Sequence, residues 1–552
     1  MIKITVNSKV YELNEKDIEN KTLWQFLKEN NYYIPILCNH ENLNPVGRCR
    51  LCVVKVGNKI RTSCISPIED GMDIITDDED LRNYRKWALH FLFGARNHYC
   101  MYCAVTSHCE FQNLGYYVEL DHFNFPTFFN KYELDNSHNH ILFDNNRCVL
   151  CDRCVRVCSE VGGHFVLQTV AKGIERLVLA DGGKKLGESS CVSCGLCVQV
   201  CPTGTLLDKY TLYLDKDSVE YSSYCHLCPI GCGIKIHLNK NNDYIVKIYS
   251  DFNAFSGGLI CYKMRYDEVI NYRIYKNKKY NIECIDFEKF KSLLTSLNKE
   301  LNNFFVIIDG TLTNEELKLI NDIFSNKIYI YYPIVLDILN NPKFNEIDNF
   351  ENYLIINIDL DKYYGALGSV IKRNVRLKNK NLILYNINNP NYLYLSKLNI
   401  KKIEDFENIR YLNKNLLIIL DSIDYIKFRN EIKNLFTNGD YKFFILPIQT
   451  NDLGIIHNIN NFKLIDEDKE IKNYKNVIIF SRDLKNINSK ILELIKNKSK
   501  IIFTLKNDTN LEIISKMDNV DTVNYLSHLF DLSASFYNTF NMLLNIKSIF
   551  KN

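Results

Sequence analysis

The sequence lacks several features, and each absence excludes a class of protein. No run approaches about 18 uninterrupted apolar residues, which argues against a membrane-spanning helix. Neither sign of charge dominates: 68 Lys and Arg stand against 65 Asp and Glu, a net +3. Nothing there marks nucleic acid as a partner. The opening residues, MIKITVNSKVYEL, have neither the basic nor the apolar region of a secretory signal, so the expectation is a protein that stays in the cytoplasm. Cysteine is missing after Cys284. All 20 cysteines of the 552-residue chain fall between Cys38 and Cys284. Thiols at that density in a reducing compartment point to metal, not to disulfides.

The length suggests three to five domains at ~100–200 residues each. Residues 1–78 read as a small β-rich unit. KITV and KVYEL are strands around the hairpin signal Asn7-Ser8, and TLWQFLKEN is a helix opened by a Thr22/Gln25 capping box. Residues 79–120 read as helix followed by a Cys/His knot, and 121–145 as an aromatic, Asn-rich connector. Residues 146–215 hold two near-identical Cys runs, and 220–272 a further Cys group. From about residue 273 the composition shifts to Asn, Ile, Lys and Tyr. Yet apolar runs recur there: FFVIID, YLIINID, NLILYN, NLLIILD, KFFILPI, NVIIFS and KIIFTL. Each fits a buried parallel strand, with helices between several of them and Thr313 and Glu316 opening one. The tail is expected to be folded α/β.

Four cysteine groups carry the chemistry. Cys38, Cys49, Cys52 and Cys64 pair two close thiolates with one on each side. That suits a [2Fe–2S] cluster, with structural zinc as the rival. Cys100, Cys103 and Cys109 make a three-thiolate set that needs a fourth ligand, and His98 just upstream is the candidate, with His90 and His108 also near. Cys148, Cys151, Cys154 and Cys158 are followed by Cys191, Cys194, Cys197 and Cys201-Pro202. This is the bacterial ferredoxin run, twice. In that arrangement the fourth Cys of each run serves the other cluster. One cubane is therefore expected on Cys148, Cys151, Cys154 and Cys201, the other on Cys191, Cys194, Cys197 and Cys158. Cys225, Cys228, Cys232 and the distant Cys261 can close a fourth cubane or a zinc site. Cys284 is left over and reads as an ordinary buried thiol. The ligand count closes on five four-ligand sites: one [2Fe–2S] cluster and four [4Fe–4S] clusters, about 18 irons.

The order of these motifs resembles the large iron–sulfur subunit, the G subunit, of NADH:quinone oxidoreductase (complex I). It is also similar to the large subunit of NAD-dependent formate dehydrogenases and to the cluster arm of NAD-linked hydrogenases. IPILCNHENLNPVGRCRLCVVKV resembles the family's [2Fe–2S] loop, and HYCMYCAVTSHCEFQ its His/Cys segment. There the family has three residues between His and the first Cys. This chain has one, and Arg96 stands at the family's His position. YCHLCPIGCGI and GGLICYKMRY resemble the cluster domain that opens molybdopterin oxidoreductases, with Lys263 at the family's lysine between cluster and pterin, and Met264 where the family prefers Gly.

The organisation this resemblance implies is multidomain, α+β and α/β. It comprises a β-grasp [2Fe–2S] ferredoxin domain at 1–78 and a His/Cys [4Fe–4S] segment at 79–120. A two-cluster ferredoxin-type domain at 138–215 and a molybdopterin-oxidoreductase-type cluster domain at 218–272 follow. A shortened molybdopterin-oxidoreductase-like α/β domain at 273–552 ends the chain. Past Met264 the only glycines are Gly310, Gly365, Gly368, Gly439 and Gly454. Glycines let backbone approach pterin phosphates, so a tail without molybdopterin is expected.

The implied function is electron relay within a NADH-oxidising, quinone-reducing translocase, with no catalytic residue in this chain. The implied partners are a flavin-bearing, NADH-oxidising subunit and other hydrophilic-arm subunits. The implied location is the cytoplasmic side of the cell membrane, reached only through the complex. No G-x-G-x-x-G follows a strand to bind NADH here. A formate dehydrogenase large subunit and a hydrogenase arm are the alternatives, and a zinc-rich scaffold is the alternative of a different class.

Overall fold

The computed structural model describes residues 1–122, 131–214, 218–239, 244–270, 287–300, 303–330, 335–402, 405, 415–436, 440–447, 451–459, 463–464, 474, 476–480, 500–504, 520–523, 534–537 and 543–546. Cys284 lies outside them. Two compact units divide the chain, Met1–Ser218 and Val219–Asn552.

In the first unit, Ile2–Val6 and Lys9–Leu13 form the expected hairpin, Val6 opposite Lys9. Asn7 and Ser8 both take positive φ (47° and 68°), the pair of left-handed residues that a two-residue turn needs to match strand twist. The strands Asp73–Ile75, Val53–Val56 and Lys59–Thr62 extend this to a five-stranded mixed sheet, with Asp73–Ile75 parallel to the first strand. The helix Leu23–Glu29 buries Leu23, Trp24, Phe26 and Leu27 against Ile4, Val6, Val54 and Ile74. Its capping box is formed: the Gln25 N–H donates to Thr22 Oγ1 at 3.3 Å, and the Thr22 N–H donates to Gln25 Oε1 at 2.8 Å. A helix held by a five-stranded mixed sheet is a β-grasp arrangement.

The helix Glu79–Gly94 begins at Asp78, whose side chain accepts from the Leu81 N–H. Arg85 on this helix is fully buried and donates to the carbonyls of Val53 and Thr76, both at 2.8 Å. The remaining thiols of this unit sit in loops and short helical segments, Cys154 in Arg153–Arg156, Cys158 in Val157–Val161 and Cys197 in Leu196–Val200. Within the described part of the stretch read as a connector, Ile141–Phe143 pairs with Leu206–Asp208.

The second unit opens with a three-stranded sheet of Ser218–Tyr224, Gly233–Asn239 and Ile245–Ser250. Two parallel sheets follow. One orders 463–464, 328–330, 304–308, 476–480, 500–504 and 520–523; the other orders 398–400, 381–385, 352–356, 416–421 and 441–446. All seven apolar runs of the sequence become strands of these sheets. Phe304–Ile308 and Asn352–Ile356 are buried at every position, as strands covered on both faces of a parallel sheet are. The helix Asn314–Phe324 has the capping box expected from Thr313 and Glu316. Among the described residues no helix is long and apolar enough to cross a membrane.

Candidate metal centres

Cys38, Cys52 and Cys64 are inaccessible to solvent and Cys49 nearly so. Their thiols touch: hydrogen bonds with Cys49 and Cys64 pull the Cys38 thiol down, and bonds with Cys38 and Cys52 push Cys64 up. The Arg48 N–H donates to Cys38 Sγ at 3.3 Å. Gly47 has φ +62°, a left-handed conformation that glycine takes without strain. The four residues predicted to share one site are together.

His98, Cys100, Cys103 and Cys109 line one cavity, partly open to solvent, with Phe111, Arg147, Thr203 and Gly204. A Cβ at Gly204 would lie 2.6 Å from Cys103 Sγ, so glycine keeps this cradle open. Burial, then Arg147 and Arg96, lowers His98 to about 3. Its ring is therefore neutral at ordinary pH. His98 Nε2 is buried without a hydrogen-bond partner, while a backbone bond at Leu92 engages the ring, leaving that bond to Nδ1. A neutral imidazole held by a carbonyl through one nitrogen, with the other nitrogen unpaired in a cavity that cysteines also line, has the state a metal-binding histidine requires. Arg96 is turned elsewhere: its guanidinium donates to Tyr132 Oη and to the Arg176 carbonyl.

The two ferredoxin-like runs repeat in backbone as well as in sequence. Two and four residues past Cys148, Leu150 and Asp152 have φ of 53° and 59°; two and four past Cys191, Ser193 and Gly195 have φ of 59° and 70°. Left-handed conformation at a non-glycine residue costs of order 1 kcal/mol. Here it aims N–H groups at sulfur: Leu150 N–H donates to Cys148 Sγ and Ser193 N–H to Cys191 Sγ, both at 3.4 Å. Each loop then enters a short helix, Arg153–Arg156 or Leu196–Val200.

The electrostatics of these thiols are interlaced. After burial, the Cys151, Cys148 and Cys201 thiols push Cys154 up, and Cys201 also raises Cys148 and Cys151. Cys158 is raised by burial and by Cys194, and Cys191 by burial, Cys194 and Cys158. Cys197 reaches Cys154 as well, which sets the two groups side by side.

In the second unit Cys225, Cys228 and Cys232 flank the turn between two strands, with the Cys225 N–H on the Cys232 carbonyl at 2.7 Å. Burial, then Cys228, Cys261 and Cys232, pushes the Cys225 thiol up, so the distant Cys261 joins the group. Lys263 depresses Cys228 slightly and holds its ammonium 5.5 Å from the Tyr363 ring centroid. A Cβ at Gly365 would lie 2.9 Å from Cys261 Cβ.

Burial above all lifts Cys109, Cys151, Cys191 and Cys228 to about 12. An isolated thiolate is disfavoured in such a pocket, and a cationic centre is what restores it. Among the described residues, no three His, Cys, Asp or Glu side chains are gathered tightly enough for one metal ion. Sequence reasoning missed the residues that tie the loops together, His138, Asp152 and Arg156. They belong to no spacing pattern.

Two family models match. Residues 1–79 match a 2Fe-2S iron-sulfur cluster binding domain, and residues 147–205 a 4Fe-4S dicluster domain. The chain is 28% identical over 237 residues to the NADPH-Fe(3+) oxidoreductase subunit alpha of Geobacter sulfurreducens, covering 42% of this chain and 28% of that protein. It thus spans less than a third of that relative. It is 29% identical to the G 2 subunit of NADH-quinone oxidoreductase from Rhizobium meliloti over 46% of this chain and 29% of the relative. It is 29% identical to the NAD-reducing hydrogenase HoxS subunit gamma of Cupriavidus necator over 39% of this chain and 90% of that subunit. The chain carries iron–sulfur domains of the kind found in subunits of multi-subunit, NAD(P)-linked oxidoreductases.

Proposed function

We propose that this chain is the electron-relay iron–sulfur subunit of a complex I-type NADH:quinone oxidoreductase. The observation that carries the reading is the interlacing of the two runs, Cys201 with Cys148, Cys151 and Cys154, and Cys158 with Cys191 and Cys194. Interlaced ligands force two cubanes to be neighbours. The ligand sets proposed are Cys38, Cys49, Cys52 and Cys64 for a [2Fe–2S] cluster, and His98, Cys100, Cys103 and Cys109 for a [4Fe–4S] cluster. The crossed runs take two more cubanes, and Cys225, Cys228, Cys232 and Cys261 a fourth. When bound, these clusters supply one-electron carriage between a flavin-bearing partner and a quinone-reducing partner.

The chain's own residues hold the ligands, exclude water and donate backbone N–H groups to sulfur. None is assigned bond chemistry on a substrate. The α/β tail is proposed as scaffold without pterin. Lys263 facing the chain's own Tyr363 supports that. The boundaries proposed are 1–78, 79–120, 138–215, 218–272 and 273–552, and the location is peripheral on the cytoplasmic face of the cell membrane.

A second reading, the cluster arm of an NAD-reducing hydrogenase, rests on the 90% of the HoxS gamma subunit that the match takes in. Anaerobic purification of the complex from its native host separates the two. The proposed function predicts a flavoprotein partner, cluster reduction by NADH, and no nickel. Stoichiometric nickel with hydrogen-driven reduction would establish the second reading instead.

A further inference from the structure

The second ferredoxin-like loop is tied to a histidine outside every cysteine motif. His138 is buried. Its Nδ1 accepts from the His140 N–H at 3.1 Å and from the Ile141 N–H at 3.0 Å, so that nitrogen carries no proton. The ring proton must sit on Nε2, which lies 2.9 Å from Ser193 Oγ and donates to it. Burial, then His140 and Lys209, holds His138 down at about 4, consistent with a neutral ring of one fixed tautomer.

The frame around this ring is rigid. Asp135 accepts from the Leu186 N–H at 2.7 Å, and Ser137 Oγ accepts from the Gly187 N–H at 2.8 Å. A Cβ at Gly187 would come 2.4 Å from the Ser137 carbonyl oxygen. Lys209 donates to the carbonyls of Asn136 and His138.

Ser193 stands between Cys191 and Cys194 in left-handed conformation, with its N–H on Cys191 Sγ. Because its oxygen already accepts from His138, its hydroxyl hydrogen is directed away from the ring. The first run offers an internal comparison. Leu150 has the same conformation and the same N–H to cysteine sulfur, but no hydroxyl.

We infer that His138 and Ser193 form a hydrogen-bond relay that raises the reduction potential of the cubane on Cys191, Cys194, Cys197 and Cys158, a device the Leu150 run lacks. The inference rests on the cluster reading proposed above. Hydrogen bonds to cluster sulfur stabilise the more negative, reduced state and raise the potential. Both side chains act as positioning residues and neither reacts.

The test is an EPR-monitored redox titration of the full chain purified anaerobically with its clusters. The cubane in question is identified by its loss in Cys194→Ser. Ser193→Ala and His138→Ala should lower its midpoint, leave the other cubane's midpoint and the iron content unchanged, and Ser193→Thr should restore the wild-type value. If His138→Ala loses iron, His138→Gln, whose amide donates in place of the ring, should keep both iron and midpoint. An unmoved midpoint in Ser193→Ala, or equal shifts in both cubanes, overturns the relay alone. A wild-type chain with no cubane signal overturns the cluster reading and the relay with it.

Discussion

Cys201→Ser should remove the cubane of Cys148, Cys151 and Cys154 and spare the cubane of Cys191, Cys194 and Cys197, although Cys201 closes the second run and lies far along the chain from the first. The thiol of Cys201 acts on Cys148, Cys151 and Cys154, whereas Cys158 and Cys191 answer to Cys194. A serine oxygen is a harder, poorer ligand for iron–sulfur centres than thiolate. The expected loss is about four irons per chain, read by metal analysis, with one cubane signal gone from the EPR spectrum. Loss of the other cubane's signal would mean that each run serves its own cluster, and the crossed assignment would be wrong.

Arg156→Met should lower the unfolding free energy by about 2–3 kcal/mol and loosen the loop that holds Cys38 and Cys49. The Arg156 guanidinium is buried and donates to the carbonyls of Cys38 and Asn44. Charge-assisted bonds of that kind contribute roughly 1.5–3 kcal/mol each, and removing a buried charge returns part of the loss. The same junction is fastened a second time. Asp152, buried and left-handed, pairs with Arg48 and with Arg176 at 3.3 Å, and accepts from Thr169 at 2.9 Å. Asn44 adds its N–H to Glu160 at 2.9 Å. The first loop and the first cubane run thus share one polar lock. Denaturant titration under anaerobic conditions measures the stability loss, and limited proteolysis between residues 38 and 52 measures the loosening. A variant with wild-type stability and protection would show that Arg156 is a bystander.

The thiol groups were legible in the sequence because a ligand set is written in residue identity and short spacing, which folding preserves. The Thr22 and Thr313 capping boxes were legible for the same local reason. The tail's strands were legible because a strand covered on both faces is apolar along its buried length, as in Phe304–Ile308. His98 was only half legible: proximity suggested it, but the buried, unpaired Nε2 and the cavity shared with Cys100, Cys103 and Cys109 had to be seen. His138, Asp152 and Arg156 were not legible. Their partners lie 55, 104 and 118 residues away in Ser193, Arg48 and Cys38, and no periodicity or spacing encodes a contact of that range.

Anaerobic purification followed by iron and sulfide analysis, with EPR after dithionite reduction, bears most directly on the whole account. The prediction is a brown protein with about 18 irons per chain and overlapping [2Fe–2S] and [4Fe–4S] signals. A colourless, EPR-silent protein that carries zinc and no acid-labile sulfide would contradict it.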